Sequence, residues 1–164
     1  MIRRITLLLF VLISVGVVFA GFPDIIKDIE GTVIDLKHIV SKSRLAVITI
    51  KTAECPVCQH QLKRIKDKLK ELVVCNVTFI VLSPGSIDKI QKVKSKTQFP
   101  FPFIKDEDLT ISKSLNLNID ENQILPSILI LNKKLEIEWE QIGRNAFYFG
   151  DPELMEILNC SSWI

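Results

Sequence analysis

The fold turns on Thr52-Ala53-Glu54-Cys55-Pro56-Val57-Cys58-Gln59. Before it runs Leu45-Ala46-Val47-Ile48-Thr49-Ile50, an apolar segment too short for a helix and rich in β-branched residues, which reads as a fully buried strand. After it, Cys58, Leu62, Ile65, Leu69 and Leu72 recur at helical spacing, while Lys63, Arg64, Lys66, Asp67, Lys70 and Glu71 fill the opposite face. The two cysteines are therefore expected where a buried strand hands over to a helix N-terminus. First-turn N–H groups have no intrahelical partner there, and the helix dipole is positive; both favour a thiolate, the nucleophilic form of cysteine. Pro56 suits the first helical position because its missing N–H is one the helix does not use. Cys55 is expected at or near the N-cap, partly exposed, and Cys58 on the apolar stripe, more buried. An exposed thiol with a second thiol one turn behind it suits reversible disulfide exchange.

Other readings of this pair are weaker. A bridge that closes so short a loop contributes little by chain entropy, which argues against a purely structural staple. A zinc site would have to recruit His60 and Cys75 and lacks a second cysteine pair, so no metal and no other cofactor are expected. Thr52, Glu54 and His60 are candidates for tuning the thiol pKa, although a surface position suits His60 as well, and His38 reads as surface.

The 164 residues suit one domain preceded by a targeting segment. Arg3-Arg4, the apolar run Ile5 to Phe19 and the small residues at Val18-Phe19-Ala20 have the layout of a secretory signal over residues 1–20, with a signal anchor as the rival reading. The domain is then 21–164, in the secretory pathway: secreted or in the lumen of the endoplasmic reticulum. No membrane contact is expected unless the segment stays as an anchor. Without residues 1–20, 19 basic residues face 19 acidic ones, a balance that argues against a nucleic-acid partner. An oxidising compartment favours disulfides, so Cys75 and Cys160 are candidates for a structural bridge, although spacing leaves connectivity open. Asn76-Val77-Thr78 is a candidate glycosylation sequon, and Asn159-Cys160-Ser161 a rarer cysteine-containing one.

Along the rest of the chain, Ile25 to Asp28 and Thr32 to Asp35 read as a hairpin around Gly31, and Leu36 to Val40 as a helical turn. Val73 to Leu82 reads as a second buried strand begun by Cys75, followed by a helix from Ser86 to about Thr97. Phe99-Pro100-Phe101-Pro102-Phe103 is excluded as a central strand by its prolines. A short helix is expected near Leu109 to Leu115, then strands at Ile128 to Leu131 and Leu135 to Ile142, and a last helix, Pro152 to Leu158, capped by Asp151. Phe147-Tyr148-Phe149 reads first as cover for the sheet edge and second as a substrate-facing lip. The order β-α-β-α-α-β-β-α predicts an α/β fold: a mixed sheet with helices on both faces.

This order and these motifs resemble the thioredoxin fold, and within it the alkyl hydroperoxide reductase/thiol-specific antioxidant branch, the peroxiredoxin-like redoxins. Asp28-Ile29-Glu30-Gly31 followed by Leu36 is similar to that branch's N-terminal hairpin. Phe101-Pro102-Phe103-Ile104-Lys105-Asp106 is similar to its phenylalanine-proline-phenylalanine segment. Leu125-Pro126-Ser127 is similar to the thioredoxin-fold cis-proline loop, which lies against the active cysteines. The resemblance implies a thiol-dependent oxidoreductase. Cys55 attacks a substrate disulfide and Cys58 resolves the mixed disulfide, while the backbone of Leu125 and Pro126 holds an extended client by strand-like hydrogen bonds. Partners are then protein disulfide clients or a thiol reductant. A thiol peroxidase acting on hydroperoxides is the second reading, and a redox-inactive peptide-binding module the third. For the peroxidase two registers stay open. With Cys58 as the peroxidatic residue, the family's threonine and proline positions hold Cys55 and Lys51; with Cys55, they hold Thr52 and Ile48.

Overall fold

The computed structural model describes residues 22–143 and 151–158. Residues 1–20, Arg144, Phe147-Tyr148-Phe149 and Asn159-Cys160-Ser161 lie outside the described residues.

A small antiparallel hairpin opens the structure: β1 (Ile25–Lys27) against β2 (Val33–Asp35), with Ile26 opposite Ile34. The turn between them is set by the Asp28 carboxylate, which accepts from the N–H groups of Glu30 and Thr32, and by Gly31 at φ +85°. Asp35 then caps α1 (Leu36–Lys42) by accepting from the His38 N–H.

Five strands make the main sheet, in the order β5-β4-β3-β6-β7. The centre is β3 (Arg44–Thr49), parallel to β4 (Val77–Ser83) and antiparallel to β6 (Ser127–Leu131). The edges are β5 (Phe103–Lys105), parallel to β4, and β7 (Ile137–Ile142), antiparallel to β6. Alternation along β3 divides the core into two layers. Ala46 and Ile48 face α2 (Pro56–Asp67), α4 (Ile87–Thr97) and α6 (Asp151–Leu158), packing with Cys58, Leu62, Ile90 and Leu154. Leu45 and Val47 face the hairpin and α1, packing with Ile26, Leu36 and Val40; Ile111 of α5 (Thr110–Ser114) joins that layer. The expected mixed sheet with helices on both faces is what forms. At one end of the sheet the Arg44 guanidinium donates to the carbonyls of Ile157 and Leu158, tying the last turn of α6 to the start of β3.

Two local expectations need correcting. Val73–Cys75 forms a 3₁₀ turn and not the start of a strand, so Cys75 precedes β4. Sheet pairing begins only at Arg44 opposite Val77, because α1 occupies the chain before Arg44. Asn76 turns the corner at φ +48°, held by its side-chain amide on the Lys42 carbonyl at 2.6 Å. Second, the apolar stripe through Leu72 is two helices, α2 and α3 (Leu69–Leu72), separated at Lys68. The phenylalanine-rich segment is core, as its composition suggests: Phe99 and Phe103 are buried and form, with Phe79 and half-buried Phe101, a cluster with ring centroids 5.2–6.4 Å apart. Beyond its prolines the chain does enter the sheet, at an edge.

Candidate active site

The dithiol stands where the sequence put it. β3 ends at Thr49, Lys51 to Glu54 make the crossing, and α2 begins at Pro56 in the first helical position. Cys55 is the N-cap residue, with extended backbone (φ −61°, ψ 108°), and its Sγ accepts the Cys58 N–H at 3.3 Å. The crossing is stiffened by the Cys55 N–H on the Thr52 carbonyl (3.2 Å) and by the Gln59 side-chain amide on the Ala53 carbonyl (3.0 Å). Cys55 is half-buried and Cys58 fully buried, and the two are joined as a disulfide with Cα atoms 5.4 Å apart.

Cys58 Sγ has a donor of its own. The Lys51 N–H points at it from 3.5 Å, while the Lys51 carbonyl accepts the Ile124 N–H at 3.2 Å. One peptide segment therefore links the buried sulfur to the loop before β6. That loop is held again two residues upstream by Thr49, the lone polar side chain within the buried run Leu45 to Ile50. Its hydroxyl donates to the Leu125 carbonyl at 2.6 Å and accepts the Ser127 N–H at 2.7 Å. Its proton being committed, the 2.7 Å contact with the Ser127 hydroxyl has Ser127 as donor.

Around the pair, Thr52 is half-buried and His60 exposed on α2. Glu54 turns away to form an exposed ion pair with Lys89 of α4 at 2.5 Å. The hydrogen bond from Lys89 holds the Glu54 carboxyl below its usual pKa, so at neutral pH it is a fixed negative charge and not a proton carrier. Pro126 is buried, Leu125 half-buried, and the bond between them is trans, because no described peptide bond is cis. The expected cis-proline conformation is therefore not found, although the loop does stand directly before buried β6. Cys75 is disulfide-bonded; Cys160, its candidate partner, lies outside the described residues. Asn76 is exposed at the entrance to β4. Among the described residues no cluster of three metal-ligating side chains occurs.

Sequence reasoning gave no site role to Thr49, Gln59 or Ser127, and took Lys51 only as a register position. A threonine inside an apolar strand is itself a signal, because a buried hydroxyl needs partners. Lys51 acts through its backbone, which no side-chain pattern reveals.

Comparison with known proteins agrees with this fold. Several solved structures share the fold. Peroxidoxin BcpB from Mycobacterium tuberculosis is 14% identical, with a TM-score of 0.69 over 88% of this chain and 97% of its own. The bacterioferritin comigratory protein of Xanthomonas campestris is 15% identical, with a TM-score of 0.69 over 84% and 91%. The reduced 2-Cys peroxiredoxin of Plasmodium vivax is 14% identical, with a TM-score of 0.71 over 87% and 94%. No curated protein matches the chain. The family model described as AhpC/TSA matches residues 21–140, most of the chain. With a thioredoxin-like sheet and a cysteine pair at the head of α2, the chain belongs to the AhpC/TSA family of thiol-dependent oxidoreductases.

Proposed function

We propose that the protein is a dithiol–disulfide oxidoreductase in which Cys55 is the nucleophile and Cys58 the resolving thiol. The observation that carries this reading is the asymmetry of the pair. Cys55 is accessible, at a helix N-cap, with the Cys58 N–H on its sulfur; Cys58 is fully buried behind it. The N-cap site stabilises negative charge on Cys55 Sγ. The Cys55 thiolate attacks a disulfide RSSR, forming Cys55–S–SR and releasing RS⁻. Cys58 then attacks Cys55 Sγ, closing the protein disulfide and releasing the second RS⁻; its proton leaves with a product thiol. Two electrons pass from the dithiol to the substrate, and the reverse sequence delivers the disulfide to a pair of substrate thiols. A mixed-disulfide trapping experiment tests this. With Cys58→Ser, Cys55 should accumulate a stable adduct with a chromogenic disulfide; an adduct formed equally well by Cys55→Ser would remove the assignment.

Family membership favours a second substrate class on the same pair. With a hydroperoxide, a thiolate takes the terminal oxygen to become sulfenic acid and releases the alcohol after protonation; the other thiol condenses with it, giving the disulfide and water. Cys55, accessible at the N-cap, is the sulfur placed to meet the peroxide, and the Lys51 N–H on Cys58 Sγ supports the buried sulfur as it condenses. A thiol reductant completes the cycle in either case.

The compartment is part of the proposal. All described cysteines are in disulfides, which suits an oxidising lumen, and residues 1–20 have the layout of a secretory signal. On that reading Cys75 and Cys160 form the second bridge, and Asn76 is a glycan acceptor through the exposed side-chain amide that also holds the Lys42 carbonyl.

A further inference from the structure

The loop beside the dithiol offers a peptide no edge to pair with. Residues 123–127 are flanked on both sides by the chain itself. On one side the Ile124 N–H goes to the Lys51 carbonyl at 3.2 Å and the Ser127 N–H to Thr49 Oγ1 at 2.7 Å. On the other, Asn118 and Ile124 form an antiparallel bridge. The Leu125 N–H goes to the Leu117 carbonyl at 2.6 Å and the Ile119 N–H to the Gln123 carbonyl at 2.8 Å. Pro126 has no N–H, and its carbonyl accepts from Gly143 at 2.8 Å. Every main-chain donor from Ile124 to Ser127 is therefore engaged within the fold, and the Leu125 carbonyl already receives the Thr49 hydroxyl.

We infer that residues 117–119 fill the place a client strand would take, so that the dithiol acts on low-molecular-weight disulfides, met by side-chain contact alone. The inference rests on the disulfide-exchange reading above and narrows it. Strand addition draws its affinity from main-chain hydrogen bonds to an open edge. Here the edge is closed by Leu117, Asn118 and Ile119, while Thr49 and Lys51 hold the other side. Opening it would strip the Leu125 amide of its partner and leave Leu117, a buried core residue, without its place. What remains beside Cys55 is exposed Pro56 and half-buried Val57. These surfaces can touch the substituents of a small disulfide but cannot set the register of a chain.

The test is the rate at which the reduced wild-type protein is oxidised by three substrates: a hydroxyethyl disulfide, a short peptide mixed disulfide, and the same peptide with N-methylated amides on both sides of its cysteine. The two peptides should react within about twofold of each other, and neither should exceed the small disulfide by more than their leaving thiols explain. A tenfold or larger loss on N-methylation would show main-chain pairing and overturn the inference while leaving disulfide exchange intact. Failure of all three substrates to oxidise the pair would instead overturn the exchange reading, and this inference with it.

Discussion

The amide of Cys58 points at the sulfur of Cys55 from 3.3 Å, and the sulfur of Cys58 in turn receives the amide of Lys51 at 3.5 Å. Each sulfur thus faces a main-chain donor from a different element: the first turn of α2 for Cys55 and the crossing after β3 for Cys58. Cys55 has the better geometry for nucleophilic attack because it is also accessible, whereas burial opposes charge on Cys58 and its amide offsets only part of that.

Thr49 should matter for stability out of proportion to its size. Replacing it with valine preserves shape but leaves the Leu125 carbonyl and the Ser127 N–H and hydroxyl without their partner inside the core. The expected loss is about 1–3 kcal/mol, read as a lower midpoint in urea unfolding. Thr49→Ser, which keeps the hydroxyl, should recover most of the hydrogen-bonding part and lose only what the missing methyl group contributed.

Asp106 offers a second stability test on the other side of the sheet. Its buried carboxylate accepts the N–H groups of Ile111 and Ser112, each at 2.9 Å, and the Ser112 hydroxyl, fixing α5 against the end of β5. Asp106→Ala strands those donors, and roughly 1–3 kcal/mol should be lost in the same unfolding assay. Amide exchange at Ile111 and Ser112 should accelerate along with it.

Most of the fold was legible because its elements have strong periods. The run Leu45 to Ile50 and the stripe Cys58, Leu62, Ile65 fixed the central strand and the active helix, and Pro56 fixed where that helix begins. Val73-Val74 misled for the opposite reason: β-branched residues favour a strand, but no neighbouring strand is in place until Arg44 meets Val77. The cysteines were legible as a pair through their spacing at a helix head. The contacts that hold them were not, because the Lys51 amide, the Leu125 carbonyl and the Asn118–Ile124 bridge act through backbone atoms brought together only by tertiary structure. The trans bond at Pro126 belongs with these, since an X–Pro sequence allows either isomer.

The Glu54–Lys89 pair predicts a small, signed pH effect. Lys89 lowers the Glu54 pKa from its ordinary value of 4.5, so its contribution to stability is present above that value and is lost as pH falls through the lower folded pKa. Because both side chains are exposed, Lys89→Ala should change stability by less than about 1 kcal/mol at neutral pH. A carboxyl-detected NMR titration should show the Glu54 pKa rising toward its ordinary value in that variant. An unchanged Glu54 titration would mean that the ion pair does not persist in solution.

The central claim, that Cys55 is the attacking thiolate and Cys58 its shielded partner, is tested most directly by alkylating the reduced protein across a pH series. Modification is read separately at each cysteine by mass spectrometry. The account predicts fast labelling of Cys55 with a midpoint below that of an ordinary cysteine, about 8.5, while Cys58 stays protected. Preferential labelling of Cys58, or no reactivity at either thiol above that of a model peptide, would contradict it.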